Sequence, residues 1–296
     1  MAYDMTTATT ISSAIATYVS PNILNYAKKR VVALPYVYME QTGTALGKPA
    51  KTVAFPVVTK DAAAAMTDGT DAEAVDIAIG SAVSITAAEV GIVRDITKLA
   101  RKVNVLGDEG LVQWAVEDGG QLCMEKIETD VWARFASAST SVGTSGAAFT
   151  LANFAQGLSQ LTINDAVGDA GAFLSTKQTS DLRESIMTSG AAVLGSGVGN
   201  NLLARESADG LVGELMGTLV WTSSCAATSG ANKIGAFMTN AAGSPKDAAI
   251  GLVYVWMPEV EMLDNPSLRS KEMAVTCAYG EAELNDRSYV QIATRS

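Results

Sequence analysis

The sequence predicts a mixed α+β fold, and three observations predict it. Residues 107–138 carry one long helical pattern, with Val112, Val116, Gly120, Met124, Ile127, Val131 and Phe135 at steps of three or four. Several shorter runs have the alternation or continuous apolar character of strands, among them Val53/Phe55/Val57, Val83/Ile85, 243–263, 271–280 and 288–293. Between these runs lie glycine- and serine-rich stretches such as SASTSVGTSGAAFT (137–150).

The 296 residues, 48% of them apolar, suffice for one large domain or two modest ones. No window of about 18 apolar residues occurs, so no membrane span is expected. The opening MAYDMTTATTISSAIATYVS has neither a basic start nor a compact apolar core, so it does not read as a secretory signal. Cys123, Cys225 and Cys277 are far apart and odd in number, which argues against a complete disulfide framework and fits a reducing site of synthesis. They read as buried small hydrophobes.

Histidine is absent. That removes the commonest general base, the commonest metal ligand and every Ser/His or Cys/His nucleophile. With so few cysteines as well, zinc and copper sites are not expected. The 21 basic and 31 acidic residues give a net charge of −10, which opposes non-specific binding to phosphate backbones. Aromatic content is 6%, too sparse for a base-stacking groove.

Taken in order, residues 1–34 read as a mobile arm with one short helix (Ile11, Ile15, Val19, Ile23), interrupted by Pro21. Lys28-Lys29-Arg30 reads as a solvated helix end or as a contact to an acidic neighbour. A strand-like anchor is expected around Val31–Tyr38. QTGTALGKPA (41–50) is a linker or turn. KTVAFPVVTK and AIGSAVSITAAEVGIVRDIT (78–97) then read as two strands around a long tip, 61–76. That tip is rich in alanine, threonine and acid, and lacks the ligand spacing of a calcium loop.

The 107–138 helix has Asp108 as its expected N-cap, and Glu117, Asp118, Glu125, Glu128 and Asp130 lie mostly off its apolar face. Gly119-Gly120 marks a bend or a close neighbour. A second helix is expected over 151–163, and AGAFLSTKQTSDLRESIM reads as strand, turn, helix. GLVGELMGTLVWTSS (210–224) reads as a short helix or turn entering a strand. A long apolar strand follows to Trp256, then two strands, 271–280 and 288–293, around a turn at Asn285-Asp286.

The chemical motifs are weak. Gly195, Gly197 and Gly199 have GxGxG spacing and lack the third glycine of a dinucleotide fingerprint, so a loop is the expectation. No phosphate-binding P-loop or GxSxG elbow occurs. Ser175 and Lys177 offer a Ser/Lys pair too short to carry weight. Trp114, Trp132, Trp221 and Trp256 read as core or interface anchors. No catalytic, cofactor or metal residue is assigned.

The order of parts, together with FLSTKQTSDLR (173–183) and DGLVGELMGTLVWTSS (209–224), resembles the major capsid proteins of tailed bacteriophages, with the fold named after phage Hong Kong 97. That resemblance implies an N-terminal arm at 1–40 and an extended loop at 41–98. It implies a peripheral domain from 99–165 and 249–296, with the 107–138 helix as its spine, and an axial domain at 166–248. It implies no enzyme and no cofactor. Copies would form hexamers and pentamers of an icosahedral shell, assembled in the host bacterial cytoplasm and ending in the virion. The shell would enclose double-stranded DNA without reading its sequence. Separate scaffolding, portal and decoration proteins are the implied partners, with no membrane. Inter-subunit contacts are expected at Val53, Phe55, Val57, Lys60, Val83 and Ile85. Met1 lies too close to the first strand-like segment for a cleaved N-terminal scaffolding region, so a separate scaffold, or none, is expected. Some relatives join a loop lysine to a neighbour's asparagine; Lys60 with Asn265 or Asn285 are the nearest residues to such a pair, and a single monomer band on denaturing gels would dispose of it.

Three rivals stand beside this reading. An encapsulin-like compartment shares the fold and differs in its contents. A histidine-free nucleotide-binding enzyme or hydrolase would be a discrete ligand-binding monomer. A fibre or surface-layer protein would form filaments or sheets.

Overall fold

The computed structural model describes residues 29, 31–42, 51–57, 80–103, 107–188, 210–230, 232–240 and 244–296. The expected arm helix, the tip at 61–76, Lys60 and the 195–199 glycines lie outside them.

Residues 31–37 are not a strand. Pro35 opens a single 3-10 turn, Leu34–Tyr36, and strand β1 (Tyr38–Gln41) begins only after it. Proline fixes φ and has no N–H to give a ladder, so the anchor turns where a strand was expected. Strands β2 (Thr52–Phe55) and β3 (Val83–Thr86) form a separate antiparallel pair. The expected run 78–97 divides at buried Ala87, and its second half is β4 (Ala88–Thr97). Helix α1 (Lys98–Val103) follows, then α2 (Gly107–Arg134), whose 28 residues span about 42 Å. Asp108 therefore lies inside the first turn of α2 and not before it.

The remaining elements are β5 (Ser141–Val142), α3 (Leu151–Ile163), β6 (Asp169–Ser175), α4 (Thr176–Thr188), β7 (Leu211–Leu215), β8 (Thr218–Ser223), β9 (Thr228–Ser229), β10 (Asn232–Asn240), β11 (Ile250–Asn265), β12 (Ser270–Glu283) and β13 (Tyr289–Arg295). Thr150 caps α3 by accepting the Asn153 N–H at 3.3 Å. β6 runs straight into α4 with no intervening turn. β7 and β8 replace the expected helix or turn with a hairpin. Its two central residues, Met216 (φ 52°) and Gly217 (φ 75°), both lie in the left-handed region, as a two-residue hairpin turn requires.

Two sheets organise these elements. One has the order β1-β11-β12-β4, with β1 parallel to β11 and the rest antiparallel. The other runs β5-β13-β10-β6-β8-β7 with β9 beside β10. So 271–280 and 288–293, adjacent in sequence, belong to different sheets. One core lies among α2, residues 31–37, the first sheet and one face of the second, and is centred on Trp132, Phe135, Phe173 and Tyr289. A second lies under α3 and α4 on the opposite face, with Phe154, Leu182, Phe237 and Ile292. β10 is buried on both faces, which explains why its sequence lacks alternation.

The buried face of α2 is Ala115, Gly119, Cys123, Ile127 and Val131. The expected stripe of larger residues coincides with it only from Ile127 onward; Val112, Val116, Gly120 and Met124 are half-buried. The helix lies so close to β12 that a Cβ on Gly119 would stand 2.7 Å from Val275 Cγ2. Small side chains belong at the closest approach, so the large ones are displaced to its flanks. Glu128, expected off the core face, is fully buried.

Candidate assembly surface

The β2–β3 pair aligns Val53 with Ile85 and Phe55 with Val83. Directly opposed residues of an antiparallel pair share a face, so these four and Val57 form one apolar stripe. The other face carries Thr52, Ala54, Ser84 and Thr86, all exposed, with the Thr52 and Thr86 hydroxyls 2.9 Å apart. The pairing extends at both ends through Ala87 N–H to Lys51 O (2.8 Å) and Gly80 N–H to Val57 O (2.7 Å).

Burial along this stripe is graded. Ile85 is 2% exposed, wedged over Gly251 and Gly280, where any Cβ would meet its methyls at 3.2 and 3.1 Å. Phe55 stands edge-on to Tyr38, with centroids 6.2 Å apart. Val57 is 41% exposed. The stripe is thus rooted in the chain's own core and leaves it uncovered farther out.

A second apolar set crowds the far end of the first sheet. Val93, Leu99, Val103, Leu263 and Leu268 are each more than half exposed. The Lys98 N–H donates to Arg269 O at 2.7 Å, tying α1 to the β11–β12 turn. Helix α1 buries no residue, and six residues are too few to hold a helix by propensity alone.

The other singled-out residues have local structural roles. Ser175 and Gln178 form a reciprocal cap at the start of α4: Ser175 Oγ accepts the Gln178 N–H (3.2 Å) and Gln178 Oε1 accepts the Ser175 N–H (2.9 Å). Lys177 pairs with Asp181 at 2.9 Å, so the Ser/Lys pair is not brought together as a dyad. Asn285 caps the 3-10 turn at Asp286–Ser288, and Asn265 Oδ1 accepts from the Ser267 hydroxyl. The cysteines are buried free thiols, and burial pushes Cys277 up to about 12. Trp132 is fully buried, while Trp114 lies under the Arg94 guanidinium at 5.3 Å. Among the described residues, no three or more Cys, Asp or Glu side chains gather where they could hold a metal ion. Also among them, no helix is long and apolar enough to cross a membrane.

No protein-family model matches this chain, and no curated protein matches it in sequence. Solved structures match it over nearly its whole length. The structure titled Mycobacterium phage Che8 is 17% identical, with a TM-score of 0.70 over 94% of this chain and 96% of that one. The capsid structure of the cyanophage P-SCSP1u is 14% identical, with a TM-score of 0.68 over 97% and 94%. The cyanophage Pam1 capsid asymmetric unit is 12% identical, again with a TM-score of 0.68, over 96% and 97%. The architecture is therefore that of a phage capsid subunit. In particular, it is a mixed α+β fold built around the 28-residue helix α2.

Proposed function

We propose that this chain is the major capsid protein of a tailed phage. Its copies self-assemble into hexamers and pentamers and close an icosahedral shell around packaged double-stranded DNA. The observation that carries this reading is the fold likeness, which extends over more than nine-tenths of both chains in the capsid structures named above. The partly uncovered hairpin stripe supports it independently, because a free monomer gains nothing from such a surface.

Within this reading, α2 is the spine of the peripheral domain, and the four-stranded sheet packs against it. Residues 166–248 are the axial domain and supply most of the seven-stranded sheet; β5, α3 and β13, from the peripheral segments 99–165 and 249–296, pack onto or into that sheet. The extended loop is the β2–β3 pair with its tip. Ile85 roots it, and Val53, Phe55, Val57 and Val83 continue onto a neighbouring subunit. The acidic chain suits a container, since a basic lining would hold the incoming DNA. Scaffolding, portal and decoration proteins are the further partners of this proposal.

Sedimentation of the purified protein tests it. Shell assembly predicts particles of megadalton size, with DNA inside those taken from infected cells. A discrete monomer under all assembly conditions contradicts it, and shells filled with an enzyme favour the encapsulin-like alternative.

A further inference from the structure

Helix α2 and strand β12 run side by side in matching step. Gly119, Cys123, Asp130 and Arg134 share one helix face, at steps of four, seven and four. Val275, Cys277, Tyr279 and Glu281 are alternate residues and share one strand face. Three contacts fix the pairing. Gly119 packs on Val275, the Tyr279 hydroxyl donates to Asp130 Oδ2 at 2.6 Å, and Arg134 Nη2 donates to Glu281 Oε1 at 3.0 Å. From Gly119 to Cys123 the helix rises about 6 Å, and from Val275 to Cys277 the strand rises about 7 Å. The first contact therefore carries over to the next pair, and Cys123 stands opposite Cys277.

The hydrogen bonds agree with this register. The Cys123 thiol donates to Val275 O at 3.7 Å, and the Cys277 thiol donates to Cys123 Sγ. Both cysteines are buried in the same core. They lie one turn from the place where a Cβ on Gly119 would stand 2.7 Å from Val275 Cγ2. Backbones this close suit a disulfide, whose α-carbons are roughly 4.4–6.8 Å apart. Cys225 stands outside the pair, with Ser223 and Thr129 as its thiol's partners.

We propose that Cys123 and Cys277 are a redox-sensitive pair, kept as thiols in a reducing cell interior and joined as a disulfide by a peroxide once the protein leaves it. The Cys123 sulfur attacks one peroxide oxygen; the O–O bond breaks, water leaves and Cys123 becomes a sulfenic acid. The Cys277 sulfur then attacks the sulfenic sulfur. The S–S bond forms, the S–O bond breaks, and the Cys277 proton leaves with the hydroxyl as a second water. Two thiols are oxidised and one peroxide is reduced. Burial keeps both sulfurs mostly as thiols, so closure is slow. The bond would fasten α2 to β12 and restrict the unfolded chain between them. The pairing does not depend on the capsid reading.

Label counting on the full chain tests this. Protein purified with reductant is desalted, exposed to hydrogen peroxide, quenched with catalase, unfolded and alkylated. Unexposed protein takes a label on each of Cys123, Cys225 and Cys277. After peroxide only Cys225 is labelled, the Cys123 and Cys277 peptides are joined, and reductant restores both lost labels. Cys225→Ala gives the same joined peptides and no label. Full labelling after prolonged exposure, a bond through Cys225, or oxidised sulfurs with no joined peptide overturns the pair. The wild-type peptide map decides this even if the variant does not fold.

Discussion

Gly119 of α2 lies directly against Val275 of β12, with room for a hydrogen and not for a methyl. Gly120, the next residue, has nothing within 4 Å of the place a Cβ would take. The two glycines therefore predict opposite outcomes. Gly119→Ala drives the helix off the sheet and costs about 1–3 kcal/mol. Gly120→Ala only removes backbone freedom from a helix interior and gains about 0.5–1 kcal/mol. Urea unfolding of the dispersed subunit measures both, and equal effects would refute the close approach.

The β7–β8 turn gives a second pair. Met216 holds a left-handed conformation that only glycine and, less readily, asparagine tolerate well. Its side chain is 42% exposed, so replacing it uncovers no core. Met216→Asn is expected to stabilise the subunit by about 0.5–1 kcal/mol, and Gly217→Ala to destabilise it by about 1 kcal/mol. Thermal unfolding separates the two by the sign of the shift.

Asp181 ties α4 to the last strand through Lys177 Nζ (2.9 Å) and Arg295 Nη2 (2.9 Å). Burial opposes its ionisation, but the Arg295 and Lys177 hydrogen bonds and charges outweigh that and hold its carboxyl below the usual range. Its contribution is therefore present above the ordinary aspartate pKa and is lost as pH falls through the depressed folded value. Both cations are well exposed, so Asp181→Asn costs only about 1–2 kcal/mol at neutral pH. The difference from wild type should vanish in acid. Unfolding curves across that pH range check it, and a constant difference would show that the charge is not responsible.

Folding and assembly separate at the hairpin. Val57→Asp places a charge on the uncovered end of the stripe, so subunit stability should stay within about 0.5 kcal/mol while shells fail to form. Deleting 61–76 should likewise leave a soluble subunit that builds no stable shell. Normal shells from both variants would take this loop out of lattice building.

What the sequence disclosed follows from where its elements are buried. β2, β3, α3 and α4 were legible because one face of each is wet, which leaves a period. The position of α2 was legible but the upper half of its face was not. Periodicity weighs large residues, whereas contact with β12 selected Ala115, Gly119 and Cys123. β10 has no wet face and so no alternation, and the β7–β8 hairpin hid behind a methionine in a glycine's conformation. Of the expected contact residues, Ile85 is committed to the chain's own core, which depends on Gly251 and Gly280 far along the chain. Glu128 looked like one more acid on a helix; only the buried backbone N–H groups of Val32 and Ala33 beside it give it a role.

Electron microscopy of particles purified from infected cells tests the central claim most directly. The account predicts closed icosahedral shells whose lattice is built from this chain, with nuclease-protected double-stranded DNA inside. Filaments, flat sheets, or a DNA-filled shell that lacks this chain in its lattice would contradict it.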